Sequence, residues 1–208
     1  MKEFLSDVMS LPISDESIYS ILQRFTKKAL PFYLKIKKRV ERLVFLGADE
    51  TGAKVNGEKH WFWTWQNSEL TYIVNSDNRG FKTIENTFAN GLPNTVLQHD
   101  SWASHFQCNA DNHQLCIAHL LRDCNYIYDL YQSDWVKQLK DLLVKAITLK
   151  KQMSEQQYRC ENIQRIELEQ TLAELLKTKL HDNHKRAKTF QKSLYKYNGF
   201  ILYFLHHP

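Results

Sequence analysis

The sequence predicts an α/β fold in which a mixed sheet is flanked by helices, and three observations predict it. Two apolar runs, Leu43 to Asp49 and Thr95 to Leu97, lead to aspartates Asp49 and Asp100, 51 residues apart. Between them Asn56-Gly57 separates Lys54-Val55 from Lys59 to Trp65, a strong hairpin signal because both turn residues tolerate positive φ. From Asp134 to Asn198 there is no glycine, and apolar residues recur at helical spacing.

The elements follow in order. Residues 1–42 read as helical. Ser14 can cap a helix over ESIYSILQRF, Ile18, Ile21, Leu22 and Phe25 fall on one stripe, and Pro31 starts or kinks a second, basic helix. Leu43 to Asp49 is continuous enough to be a strand buried on both faces. The hairpin and a third strand, Thr71 to Val74, complete an antiparallel meander. A helix over Gly80 to Ala89 is closed by Asn90-Gly91 and Pro93, and Thr95 to Leu97 then leads to Asp100. A helix near Ser101 to Cys108, a fifth strand over Gln114 to Ala118 and a helix through Tyr128 follow. This order of strands and helices over 43–133 is that of a ribonuclease H-like core.

Residues 134–187 predict an inserted helical hairpin. Trp135, Leu139, Leu142, Ala146, Leu149 and Met153 are spaced 4, 3, 4, 3 and 4, a continuous apolar seam. Ser154 and Gln157 form a capping-box pair for the returning helix, whose stripe is Leu168, Leu172, Leu175, Leu176 and Leu180. In 188–208 a final core helix, about Thr189 to Leu205, presents Leu194, Tyr197, Ile201 and Leu205, with Gly199 weakening its middle.

At 208 residues and 43% hydrophobic content the chain can bury one substantial core with room for a subdomain. No apolar stretch is as long as a membrane span and MKEFLSDVMS lacks the order of a secretory signal, so a soluble cytoplasmic protein is expected. Four cysteines, Cys108, Cys116, Cys124 and Cys160, are too sparse for a disulfide framework and are read as reduced thiols. The net charge of +5 is uneven: residues 134–208 carry 14 Lys/Arg against 8 Asp/Glu, while 1–133 carry 14 against 15. Basic runs at Arg24–Arg42 and Lys177–Lys196 suit a polyanion, or simply solvate exposed helix faces.

Three groups of residues could carry chemistry. Asp49 and Asp100, at the ends of neighbouring strands, could share a divalent metal as in two-metal phosphoryl transfer, or could serve as turn residues. Glu50 should point away from Asp49 because strand side chains alternate. His113, Cys116 and His119, three apart, could line a helical face and hold zinc, with Cys108 or Cys124 as a fourth ligand, or could be packed residues near the site. Trp61, Phe62, Trp63 and Trp65 could stack bases, though alternation favours core packing for much of the run.

The run DETGAKVNGEKHWFWTW resembles the start of the catalytic domain in bacterial transposases of the insertion sequence 66 family. The likeness continues through Gln98-His99-Asp100, the stretch from His113 through Cys116 and His119 to Arg122, and the helical insertion before a final helix. Ser101-Trp102 and Leu121-Arg122 depart from that family's usual residues. The resemblance implies a DDE transposase that cuts DNA and joins strands with Mg²⁺ or Mn²⁺, with Asp49 and Asp100 as the first two acids and metal ligands. It places the third acid beyond Pro208, so the chain is expected to be a catalytic-core fragment inactive alone. Cys116 and His119 would lie near the site, and Arg122, Lys185, Arg186, Lys188 and Lys192 would contact DNA phosphates. Transposon-end and target DNA are the expected partners, with homo-oligomers conceivable. The alternative is an inactive, basic DNA-binding or dimerisation module of the same fold.

Overall fold

A computed structural model describes residues 2–159 and 162–207. Met1, Cys160, Glu161 and Pro208 lie outside the described residues, so the reading of Cys160 as a free thiol is not addressed.

Helix α1 (Lys2–Asp7) precedes α2 (Asp15–Val40), which is capped as expected: Ser14 Oγ accepts the Ser17 N–H at 3.2 Å. Pro31 starts no second helix but sits inside α2, because a missing amide removes only one rung from a 26-residue ladder. The stripe of Ile21, Leu22 and Phe25 is also not core, since these residues are 48–67% exposed and only Val40 of α2 is buried. The helix touches the sheet through its second half, where the Tyr33 hydroxyl donates to the Ile73 carbonyl at 2.9 Å.

The sheet comprises β1 (Phe45–Val55), β2 (Glu58–Gln66), β3 (Thr71–Ser76), β4 (Leu92–His99) and β5 (Ala110–Leu115), in spatial order β3-β2-β1-β4-β5. β1, β2 and β3 pair antiparallel, while β4 runs parallel to β1 and β5 parallel to β4. Asn56 and Gly57 have φ of 52° and 85°, the positive pair that a two-residue hairpin requires. β1 is not buried on both faces. Leu46, Ala48 and Glu50 face inward with Trp63 and Trp65, whereas Asp49 is exposed and Phe45 is 43% exposed. The alternation arises because helices cover the outer side of β1 incompletely.

Helix α3 (Phe81–Thr87) crosses from β3 to β4 and closes the inner core with Ile84 and Phe88 against Trp63, Trp65 and Tyr72. Gly91 has φ of 68° and lies so close to Asn109 that an added Cβ would come within 2.5 Å of its carbonyl oxygen, so only glycine fits this turn. The helix expected over Ser101–Cys108 is reduced to one 3-10 turn, His105–Gln107. Its lead-in is held instead by Asp100, whose carboxylate accepts the Trp102 N–H at 2.9 Å.

Helix α4 (Ile117–Tyr131) leaves β5 directly and α5 (Asp134–Gln152) returns along it. The α5 seam is buried from Trp135 to Leu149. The capping pair holds, with Ser154 N–H donating to Gln157 Oε1 at 2.7 Å, but the returning helix is divided into α6 (Glu155–Arg159) and α7 (Ile163–Lys177), the latter capped anew by Asn162. The last helix, α8 (Lys185–Lys196), starts and stops earlier than expected. Short 3-10 turns at Asn198–Phe200 and Tyr203–His206 take over beside Gly199, and still bury Leu194, Ile201 and Leu205. A second core cluster joins Leu115 to α4, α5, α7 and these turns. Among the described residues no helix is long and apolar enough to cross a membrane.

Candidate active site

The sheet register sets the positions of the two aspartates. β1 and β4 pair in parallel with Leu46 level with Leu97 and Gly47 level with Gln98. Two residues beyond the last paired residues, Asp49 is still within β1 and Asp100 lies just past the end of β4. Adjacent strands are about 4.8 Å apart, so the pairing brings both aspartates to one region of the sheet, where the Asp100 carboxylate turns toward His105. Asp49 Oδ1 accepts the Glu50 N–H at 3.0 Å, and Asp100 Oδ1 accepts the Trp102 N–H. Among the described residues neither carboxylate forms an ion pair with lysine or arginine.

Behind this pair, on the inner face, lies a polar network. The Glu50 side chain is 1% exposed; its Oε1 accepts Arg79 Nε–H at 2.9 Å and its Oε2 pairs with His105 Nε2 at 3.0 Å. Burial pushes the Glu50 carboxyl up, but the hydrogen bond and charge of His105, then those of Arg79, outweigh it and hold the group below the usual carboxylate range. His105 Nε2 also stands 3.8 Å from Asp100 Oδ1. The Arg79 guanidinium lies between the Trp61 and Trp102 rings, 4.6 and 4.2 Å from their centroids. His105 stacks on His99, whose Nε2 meets His113 Nδ1 at 2.9 Å. Burial, then the charge of His105, depresses His99 to about 3 and lowers His113.

Sequence reasoning set Glu50 aside and missed Arg79 and His105. Strand alternation separated Glu50 from Asp49 without marking it as buried, and a buried carboxylate requires partners. Nothing in the local pattern identified them, because Arg79 lies 29 and His105 55 residues away. For the aromatic run, core packing holds at Trp63 and Trp65, both fully buried; Phe62 is 38% exposed on the outer face.

Cys116 caps α4 at this end of the sheet, its N–H donating to the His99 carbonyl at 2.7 Å. His119 lies one turn further in, with Nδ1 buried and without a hydrogen-bond partner. His113, Cys116 and His119 share no helical face, because His113 belongs to β5 and turns toward His99. Their spacing of three therefore spans a strand, a cap and a helix. Asp123, on the same helix, is raised chiefly by burial and further by the charge of Asp100, against the opposing pull of His119 and Arg122.

A cleft of about 440 Å³ is bounded by Phe45, Gln98, Gln114, Cys116, Lys150 and Lys151 among others, and neither aspartate is one of its lining residues. Arg122 is exposed on α4. Lys185, Arg186 and Lys192 are exposed on α8, while Lys188 is half-buried and pairs with Asp182. α8 begins at the far end of α4, where Arg186 N–H donates to the Tyr131 hydroxyl at 3.4 Å. The 15 residues of α4 span about 22 Å, so Lys185 and Arg186 lie remote from the aspartates, whereas α8 then runs back until Tyr197 stacks on Phe106 at 4.0 Å.

Among the described residues no group of three or more His, Cys, Asp or Glu converges as a metal site. Asp49 and Asp100 do suit a hard divalent cation: both present oxygen donors, neither is neutralised by lysine or arginine, and such cations complete their shells with water and phosphate oxygens. The profile of the Transposase IS66 family matches residues 1–207. A comparison with curated proteins finds no match.

Proposed function

Because the chain belongs to the IS66 transposase family, we propose that it is the ribonuclease H-like catalytic core of a DDE transposase that cleaves DNA and transfers strands. The observation that supports this best is the parallel pairing of β1 with β4, which carries Asp49 within β1 and Asp100 just past β4 into one region of the sheet. Under this reading residues 43–133 form the core, 1–42 an N-terminal helical segment, 134–187 a helical-hairpin insertion and 188–208 the closing segment.

Asp49 and Asp100 would hold Mg²⁺ or Mn²⁺. The bound ion would activate the attacking oxygen, first of water and then of a freed 3′-hydroxyl, and stabilise the leaving oxygen. The protein's part is to aim the carboxylates and seat the DNA. Arg122, on the helix that starts at the site, contacts phosphate nearby. Lys185, Arg186, Lys188 and Lys192 contact the duplex further away, where such charges position DNA without reading sequence. DNA is the partner, in the cytoplasm, with self-association of the chain expected. The third acid of the triad is not assigned to any residue of 1–208.

The test uses the protein as its gene encodes it, labelled element-end DNA and a Mn²⁺ titration. Metal-dependent cleavage and joining are expected in the wild type and a loss of at least about 100-fold in Asp49→Ala and Asp100→Ala, as removal of a transition-state contact predicts. DNA binding without cleavage in all three proteins would instead establish a binding module.

A further inference from the structure

We infer that Glu50, Arg79 and His105 form a buried positioning relay that fixes Asp100 of the site, with Glu50 as its hub. The inference rests on the reading of Asp49 and Asp100 as metal ligands.

The contacts close into a circuit. Starting at Asp100, Oδ1 accepts the Trp102 N–H at 2.9 Å. The Trp102 indole lies over the Arg79 guanidinium and donates to the Arg79 carbonyl at 3.2 Å. Arg79 donates to Glu50 at 2.9 Å, and the other Glu50 oxygen meets His105 Nε2 at 3.0 Å. The same Nε2 faces Asp100 Oδ1 at 3.8 Å, which returns the circuit to its start. Asp49 stands apart from the circuit: its Oδ1 accepts the main-chain N–H of Glu50 at 3.0 Å, a local bond in which the Glu50 carboxylate takes no part. Asp100 therefore takes its orientation from Glu50 through the imidazole of His105.

Rigidity follows from the packing. The His105 side chain is fully buried, stacked on His99 with centroids 4.8 Å apart and set against the edge of Trp63 at 5.5 Å. Arg79 is clamped on both faces by Trp61 and Trp102. A charged network in such a place costs desolvation that an apolar side chain of similar size would avoid. What it provides in exchange is direction: the Asp100 carboxylate is held against one fixed group, as ligand-orienting hydrogen bonds do at metal sites.

Mn²⁺ affinity of the purified protein, read by electron paramagnetic resonance without DNA, separates positioning from folding when thermal melting is recorded beside it. Glu50→Gln keeps the shape but cannot accept from both Arg79 and His105, and His105→Phe keeps the ring without its N–H. Both should remain folded and weaken Mn²⁺ binding by about 10- to 100-fold, the range for loss of a ligand-orienting partner. His105→Gln, which restores an N–H near the same place, should recover most of the affinity. Trp102→Leu, at a 40% exposed position where folding is least at risk, should weaken binding to a smaller degree. Wild-type affinity in Glu50→Gln, His105→Phe and Trp102→Leu, with Asp49→Asn and Asp100→Asn binding no Mn²⁺, would overturn the relay and leave the metal site standing. Affinity unchanged in the two aspartate variants as well would overturn the metal reading and the relay with it.

Discussion

At the scale of single residues, burial decides what each titratable group can do. Cys108 and Cys124 carry thiols pushed up by burial to about 11 and about 12, whereas Cys116 is half-buried at the start of α4. Iodoacetamide at pH 8, mapped by mass spectrometry, should therefore label Cys116 in the native protein and reach Cys108 and Cys124 only after denaturation. His113 is lowered by burial and by the charge of His105, so the folded state disfavours its protonated form. Its contribution is complete above the unfolded histidine value, about 6.5, and is lost as pH falls below it toward the depressed folded value. His113→Asn, which cannot titrate, should show a smaller drop in melting temperature between pH 7 and pH 5 than the wild type. The two aspartates were legible in the sequence because each follows an apolar run. Glu50 was legible only as a position facing away from Asp49, and its burial and its partners were not legible at all.

At the scale of elements, periodicity was dependable where the packing surface is continuous. The α5 seam spaced by fours and threes is buried along its length, and Leu139 at its centre has no exposure. Leu139→Ala should cost about 2–5 kcal/mol in denaturant unfolding, the range for emptying a fully packed leucine site. The Asn56-Gly57 hairpin was equally readable because its geometry is local, and Gly57→Ala should cost about 1–2 kcal/mol at that positive φ. Where elements depend on distant neighbours the same signals misled. The α2 stripe has helical spacing but extends past the sheet, and Ser101–Cys108 yields its helix to turn bonds around Asp100.

At the scale of the whole molecule, the parallel pairing of β1 with β4 is the step that brings two aspartates 51 residues apart to one region of the sheet. Asparagine keeps the side-chain oxygen that accepts the neighbouring N–H at each position, so each replacement should remove a metal ligand at little cost to the fold. Asp49→Asn and Asp100→Asn are each expected to keep the melting temperature and to lose Mn²⁺-dependent cleavage. A fall in melting temperature in both would show that these side chains serve the fold instead.

The sequence by itself determined the α/β class, the meander and its turn, the helical periodicity of 134–177, two aspartates that follow apolar runs and, through its motifs, the family. All of these rest on local chemistry or on periods of two and 3.6 that a short window contains. Only the tertiary structure decided which strands are neighbours, that Asp49 lies inside β1 rather than at its end while Asp100 falls just past β4, that Glu50 meets Arg79 and His105, and that α8 starts at the far end of α4. Those relations join residues 29 to 55 positions apart or depend on helix placement, and pairing over such separations is set by the closing of a common core.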